Sequence, residues 1–177
     1  MTNYPSPVST YRRAPPGQQK GLGILEVLIA VLLISIGFLA VARMQVESMQ
    51  FSQSSYNKSQ AYFMTNDIID RMRANVRGVI DGHYDNKLTT NSYTAPDCST
   101  NACTPEQIAS KDLSEWRENL HPSNNARPVL PGSDSIVAKG EIVANGDNTF
   151  TVNIAWAENG AEEALSVSFS AQGIDGL

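Results

Sequence analysis

A single carboxylate, Glu26, lies inside the longest apolar stretch of the chain. The run over residues 24–42 is interrupted only by Glu26, Ser35 and Gly37. A charged side chain costs roughly 2.5–3.5 kcal/mol at the centre of a membrane helix, and somewhat less near an end. Membrane segments rarely carry that cost without a partner, so we expect Glu26 to meet an opposite charge. Gly21 lies five residues earlier, directly after a basic, proline-rich leader.

The two cysteines, Cys98 and Cys103, are a second candidate for chemistry. They cannot complete a four-ligand zinc site alone, and His83 and His121 are not spaced like co-ligands. A close, even pair indicates a disulfide in an exported protein and two free thiols in the cytosol. The apolar stretch favours export, and therefore the disulfide.

Other candidate chemistry is sparse. Asp81, Asp85 and Asn86 could be calcium ligands, but their spacing is not that of an EF-hand, and we interpret them as a solvated loop. The sequence contains no Ser-His-Asp set, glycine-rich phosphate loop or HExxH motif. The net charge of −5 gives no general basic surface for nucleic acid. We therefore predict no enzyme activity, no metal and no cofactor.

The apolar stretch predicts a membrane anchor with a defined direction. Its 19 or so residues would form a helix of about 28 Å, close to the hydrocarbon thickness. Arg12, Arg13 and Lys20 flank it without any acid, so the N-terminal side should stay cytoplasmic and the rest outside. An ordinary signal peptide ending at Ala42 and an uncleaved anchor are the alternatives. The run is longer than the usual signal core, and Glu26 is misplaced in one.

The pattern stays helical beyond the membrane. No proline occurs between Lys20 and Tyr93, so we predict one helix from Leu22 to Arg77. Asp67 and Arg71 can pair on its surface. The segment Ser48–Gln60 is polar nearly all round, which indicates either solvation or packing against other polar helices. An amphipathic stripe follows at three- and four-residue steps: Ala61, Met64, Ile68, Met72 and Val76, with Ile69 beside them.

The rest of the chain predicts a loop, a short helix and three strands, an α+β fold. Residues 81–97 read as loop. Thr104, Pro105 and Gln107 form a capping box and helix start, and His121-Pro122 ends that helix. The expected buried face is Ala109, Leu113, Trp116 and Leu120. The period then changes to two in Ile136–Ala144, Thr149–Ala157 and Ala164–Ser170, a meander that would bury Val152, Ile154 and Trp156.

The N-terminal motif resembles type IV prepilins and type II secretion pseudopilins. In those families a basic leader ends at a glycine, and a glutamate follows five residues later. The resemblance implies cleavage by prepilin peptidase between Gly21 and Leu22, N-methylation of Leu22, and an assembly role for the Glu26 charge. Two departures stand out: Leu22 replaces the usual Phe or Met, and Arg43 stands where many major pilins have a helix-breaking proline.

Motifs further along narrow the resemblance to the PilV group of minor pilins. They occur in the family's order: Glu26–Ala30, Ile36-Gly37, Ile69–Asn75, the Cys98–Cys103 spacing, Asp112–Trp116, Leu130–Gly132 and Thr151–Trp156. The group implies a type IV pilin fold in three parts: a cleaved leader (1–21), a membrane and filament-core half-helix (22–43) and a periplasmic domain (44–177). It implies a low-abundance subunit of the surface pilus, an organelle of adhesion and twitching motility. The subunit primes assembly with other minor pilins and the major pilin, often beneath a large tip adhesin.

Two alternatives to a minor pilin remain open on the sequence alone. An I-type pseudopilin of a type II secretion system shares the N-terminal pattern and a related role. A periplasmic enzyme or ligand-binding domain on a single-pass anchor belongs to a different class. All three place the chain at the inner membrane before any assembly, and none implies nucleic acid as a partner.

Overall fold

The computed structural model describes Gly21 and residues 23–99, 102–124 and 126–171. It shows a long N-terminal helix, a small antiparallel four-stranded sheet and short helices, which confirms the predicted α+β class. Residues 1–20 of the predicted leader, and Leu22, lie outside the described residues. The chain divides into two compact units, Met1–Val46 and Glu47–Leu177, and the boundary falls within the long helix.

The long helix, α1, is Ile24–Ala74, so its predicted end at Arg77 is wrong. Asn75 breaks it, with backbone angles of φ −109° and ψ 60° that are not helical. Its side-chain oxygen accepts a hydrogen bond from the backbone N–H of Gly78, which starts a separate helix, α2, Val76–Ile80. Asparagine side chains compete for backbone groups in this way and so favour caps over helix interiors. Val76 consequently belongs to α2 rather than to the α1 stripe.

The core side of α1 is the predicted amphipathic stripe. Ala61, Met64, Ile68, Ile69 and Met72 are all buried in the hydrophobic core of the second unit. A three-and-four spacing keeps these side chains on one face of the helix, where they pack against the sheet and the third helix.

The third helix, α3, is Pro105–Leu120 and begins and ends where the sequence predicted. Thr104 accepts a hydrogen bond from the N–H of Gln107, and the Gln107 side chain accepts one from the N–H of Thr104, which completes the capping box. His121 is the C-cap. The predicted face is buried: Ala109, Leu113, Trp116 and Leu120.

The sheet has four strands in the order β1-β2-β3-β4, all antiparallel, where a three-stranded meander was expected. The additional strand β1, Lys87–Leu88, lies inside the predicted loop and pairs with β2. A two-residue strand has no alternation to reveal it, so no sequence pattern predicts it. The other strands are β2, Lys139–Gly146; β3, Thr149–Glu158; and β4, Ala161–Ser170.

Two tight turns set the register of the meander. Asp147 and Asn148 join β2 to β3 with φ of 49° and 53°, and Asn159 and Gly160 join β3 to β4 with φ of 51° and 82°. Positive φ at both central residues defines the type I′ turn that matches the twist of a hairpin. Because the second turn is only two residues long, β4 begins at Ala161, three residues earlier than predicted. At the other end, residues 133–136 form a turn, so β2 begins at Lys139 rather than Ile136.

Candidate functional site: the exposed surfaces of the long helix

Glu26 lies in the first turn of α1. Its backbone N–H donates to the carbonyl oxygen of Gly23 over 2.9 Å, which closes the first turn of the helix. A carboxylate in this position is favoured by the helix dipole, because the first N–H groups carry partial positive charge. The side chain is exposed. Leu22, the residue that would become the new N-terminus, lies outside the described residues.

No packing contact within the described part of the chain requires a glycine at position 21. A Cβ atom built on it would meet nothing within 4 Å, and its φ does not lie in the left-handed region. The same holds for Gly37 inside α1, where a glycine costs about 1 kcal/mol relative to alanine. Neither residue is explained by the fold of the described chain. Gly37 is therefore the residue that least favours a helix in the apolar part of α1.

The first part of α1 leaves a continuous apolar surface exposed. By length and composition it is one helix that could cross a membrane, although a signal sequence would pass the same test. None of the residues from Ile24 to Val46 is buried. The Ser35 hydroxyl donates a hydrogen bond to the carbonyl oxygen of Val31 over 2.7 Å, so it needs no partner outside the helix. Glu26 is consequently the one acidic group in this apolar surface.

A second exposed surface follows in the Glu47–Leu177 unit, and we call it the outer row: Met49, Tyr56 and Phe63. Their relative exposures are 73%, 56% and 68%. Residues seven apart fall nearly on one line along a helix, so the three side chains form one stripe. Phe51 and Tyr62 are exposed on another side of the same helix. The many polar residues of Ser48–Gln60 conceal this row in the sequence, where only a count in steps of seven residues reveals it.

The opposite side of the same segment explains much of its polarity. Asn57 is buried and accepts a hydrogen bond from the Gln53 amide over 3.0 Å. Glu158, at the end of β3, bonds to Ser54, Trp156 and Asn57, and its hydrogen bonds to Ser54 and Trp156 hold its pKa below the usual range. The polar residues of this segment are thus only partly solvated. One side is attached to the sheet, while the outer row faces away.

Shallow concavities lie along the outer row. One, of about 440 Å³, is lined by Met49, Ser52, Gln53 and Tyr56. A second, of about 350 Å³, is lined by Lys58, Ser59, Tyr62 and Phe63. Alternating ridges and hollows are what one helix offers to another when helices pack. The exposed side chains and the hollows between them are therefore compatible with packing against another helix.

A charged cluster fixes α3 against α1. The predicted Asp67–Arg71 pair is present at 3.0 Å, and Arg71 also reaches Glu115 at 2.5 Å and Asp112 at 3.4 Å. Such a network is stronger than an isolated surface pair because one guanidinium satisfies three carboxylates at once. The sequence predicted only the local pair, since the other two partners lie more than forty residues away.

A buried hydrogen-bond chain extends this cluster to the helix break. Tyr84 donates to Asp112 over 2.5 Å, and the Asn75 amide donates to the Tyr84 oxygen over 3.1 Å and to the Pro105 carbonyl over 2.8 Å. Burial, reinforced by the hydrogen bond to Asp112, raises the pKa of Tyr84 above its ordinary value. These hydrogen bonds fix the end of α1 to the start of α3. They therefore hold together the two ends of the segment that connects α2 to α3.

The disulfide lies in that segment. Cys98 and Cys103 are joined, with their Cα atoms 5.4 Å apart, and the bridge immediately precedes the Thr104 cap. Thr100 and Asn101, inside the small loop, lie outside the described residues.

Replacing both cysteines by serine should lower the free energy of unfolding by about 2 kcal/mol without changing the fold. The reason is that a bridge over a short loop removes only a little entropy from the unfolded chain. Chemical denaturation of oxidised wild-type protein and of the double variant measures the difference. Reduced wild-type protein is the matched control and should resemble the variant. Complete loss of cooperative unfolding in the variant would contradict this local role.

No candidate metal site is found in the described part of the chain. Within it, no three His, Cys, Asp or Glu residues converge closely enough to hold a metal ion. Of the residues considered for calcium, Asn86 instead accepts a backbone hydrogen bond from Ala144 over 3.4 Å. Its left-handed backbone, with φ of 52°, is one that asparagine tolerates in turns.

Residues 43–114 match a protein-family model described as Tt1218-like, type IV pilin Tt1218. The matched segment covers the outer part of α1, the helix break, the disulfide and the first turns of α3. It includes neither the Gly21–Glu26 motif nor strands β2–β4. No curated protein and no solved structure matches the chain at a significant level. The similarity therefore comes from a segment separate from the N-terminal motif, and the two point to one class of protein.

Proposed function

We propose that this chain is a subunit of a type IV pilus-like filament. The observation that carries the proposal is an exposed apolar helix with one acid in its first turn, which continues into a domain segment similar to a type IV pilin. Filament subunits of this kind need a surface that is stable in a membrane before assembly and among other helices afterwards. An unpartnered apolar helix meets both needs, because lipid and neighbouring helices are equally apolar.

Processing at Gly21 is part of the proposal. A glycine that no packing contact requires is explained if a peptidase recognises it. Cleavage would give a new amine at Leu22, which methylation keeps basic, four residues before Glu26. The chain would then have three functional parts, with residues 1–21 removed, 22–43 in the membrane or filament core, and 44–177 outside. Before assembly it would sit in the inner membrane with its N-terminus cytoplasmic; afterwards it would lie in a surface pilus.

Within this class we favour a minor pilin of the PilV group. The support is the order of its motifs, including the disulfide before α3, the Leu130–Gly132 turn and the Thr151–Trp156 strand. Its partners would be the other minor pilins, the major pilin and a large tip adhesin, with which it would prime assembly. An I-type pseudopilin is the second candidate, because the Gly21–Glu26 motif fits it equally. Purification with surface pili, or with a secretion complex that makes no surface pili, separates the two.

Changing the outer row should remove the protein from filaments without unfolding it. Phe63→Gln introduces a residue that favours the helix but deletes an apolar side chain whose burial is worth about 1.5–3 kcal/mol. We therefore expect recovery in the sheared filament fraction to fall roughly tenfold or more. Immunoblots of sheared filaments and whole cells give the ratio.

Val137→Gln is the matched control for that variant. Val137 is an exposed apolar residue outside α1, with 56% relative exposure, and its replacement should leave recovery unchanged. Equal recovery of Phe63→Gln and wild-type protein would contradict the role of the outer row.

A further inference from the structure

One edge of the sheet is long and open. β4, Ala161–Ser170, is the last strand of the sheet and pairs only with β3. The opposite edge is the two-residue strand β1, which is too short to template another chain. Among the described elements, nothing pairs with the outer side of β4. A long open edge exposes a row of N–H and C=O groups that can accept a further strand.

The hairpin turn shows which backbone groups face outward. A two-residue type I′ turn is closed by the hydrogen-bonded pair Glu158–Ala161, and bonded and non-bonded pairs then alternate. Glu163, Leu165 and Val167 therefore bond to β3 through their backbones. The N–H and C=O groups of Ala164, Ser166 and Ser168 point away from the sheet.

Charged side chains that would oppose pairing with another strand lie at only one end of β4. Glu162 and Glu163 follow the turn, and Glu162 pairs with Lys139 of β2 at 3.4 Å. Glu163 is exposed and makes no ion pair within the described chain. From Ala164 to Phe169 there is neither a charge nor a proline, which are the residues that usually protect an edge. The unprotected stretch is long enough for three outward-facing residues.

The core-facing side chains of β4 are only partly covered. Leu165, Val167 and Phe169 lean against the core but remain half-buried, because the sheet stops at this strand. Arg73 covers part of the Phe169 ring at 5.7 Å. One additional strand with apolar residues at alternate positions would continue this row and complete its burial.

We propose that the outer edge of β4 binds an extended segment of a partner polypeptide by strand addition. Backbone hydrogen bonds to the outward-facing groups of Ala164, Ser166 and Ser168 supply the part of the affinity that does not depend on the partner's side chains. Selectivity comes from the half-buried row and from Glu163. The segment it fits alternates apolar and polar residues and carries a lysine or arginine beside Glu163. This surface lies outside α1, so the proposal stands apart from the filament role of that helix.

Photo-crosslinking locates the partner segment. A benzophenone amino acid at Ser168, whose side chain is exposed on the outer face, is introduced into the full-length protein in cells, and the crosslinked peptides are mapped by mass spectrometry. The proposal expects crosslinks to one extended segment of a different polypeptide. Crosslinks to another copy of this chain, crosslinks to its own residues 172–177, or no crosslink at all would overturn it.

A proline substitution at Ser166 tests whether the partner binds by strand addition. The mapped segment is made as a peptide, and its affinity for the detergent-solubilised full-length protein is measured. Ser166→Pro removes an outward N–H without touching the β3 ladder, so it should weaken binding at least tenfold. Ser166→Ala loses the same hydroxyl but keeps the N–H, and should bind like the wild type. Equal affinity of the proline and alanine variants would overturn strand addition.

A charge variant keeps the test decisive if the proline variant does not fold. Glu163→Arg leaves the backbone unchanged, and it should weaken binding of the same peptide several-fold at low salt and less at high salt. An unchanged affinity at low salt would overturn the predicted basic residue in the partner segment.

Discussion

Glu26→Gln should leave the protein inserted, processed and folded, yet largely absent from filaments. Glutamine keeps the size of the side chain and loses its charge. In a filament, the amine on Leu22 of one subunit would need an anion at its own depth, and Glu26 of a neighbour would supply it. Leaving one member of a buried ion pair alone costs about 3–5 kcal/mol, which corresponds to at least a hundredfold in association.

The comparison uses Ser35→Ala as a matched control. Ser35 is a polar residue of the same apolar stretch, but its hydroxyl is already satisfied by Val31. Its replacement should leave filament incorporation unchanged. The measurements are co-purification with other pilus subunits and the number of surface pili, each divided by the amount of membrane-inserted protein.

Pairing within one subunit is the competing account of Glu26. Leu22 and Glu26 are four residues apart and could neutralise each other on one helix. Under that account Glu26→Gln lowers the amount of inserted protein but not the fraction of it that enters filaments. If the amount of inserted Glu26→Gln protein and the fraction of it in filaments both equal the wild-type values, the Glu26 charge is dispensable.

Gly140→Ala should destabilise the Glu47–Leu177 unit by about 2–3 kcal/mol. A Cβ atom on Gly140 would lie 2.5 Å from Cη2 and 2.7 Å from Cζ2 of Trp116, and 3.1 Å from Cγ2 of Thr89. The indole cannot easily retreat, because Trp116 is fully buried and its Nε1 donates to the carbonyl oxygen of Met64 in α1 over 3.1 Å. Nor can the strand, because the backbone of Gly140 bonds to the backbone N–H and the hydroxyl of Thr89.

A double variant separates this contact from other effects of the substitution. Trp116→Phe removes the distal ring atoms that the new methyl group would strike. Gly140→Ala should therefore cost at least about 1 kcal/mol less when combined with Trp116→Phe than in the wild type, a coupling expected for residues in contact. Denaturant unfolding of the wild type, the two single variants and the double variant measures it. Strict additivity would contradict the proposed clash.

Local signals in the sequence predicted the elements that local chemistry decides. The Thr104–Gln107 capping box fixes the start of α3, because both of its hydrogen bonds lie within four residues. The Asn159-Gly160 turn fixes the β3–β4 hairpin, because few pairs of neighbouring residues both adopt a positive φ. The face of α3 that carries Trp116 followed from helical periodicity alone.

Long-range contacts decided what the sequence did not predict. Asn75 ends α1 partly because Tyr84 and Pro105 receive its amide protons, and neither partner can be inferred from its neighbours. β1 exists only because β2 lies beside it. The carboxylates that gather around Arg71 come from a helix more than forty residues away.

The candidate site divides in the same way. Glu26 stood out from the sequence because a lone charge in an apolar run is costly wherever the chain folds. The outer row did not, because Met49, Tyr56 and Phe63 are scattered among polar residues. Only burial of the opposite side, at Asn57 and Ala61, shows that these three face outward.

The mass of the membrane-extracted protein tests the filament account most directly. Intact-mass analysis, with N-terminal sequencing of the same sample, should find a chain that begins at a methylated Leu22. In a strain without prepilin peptidase activity the leader should remain, and the protein should be missing from filaments. A chain that begins at Arg43, or one that keeps its leader when the peptidase is active, would contradict the account.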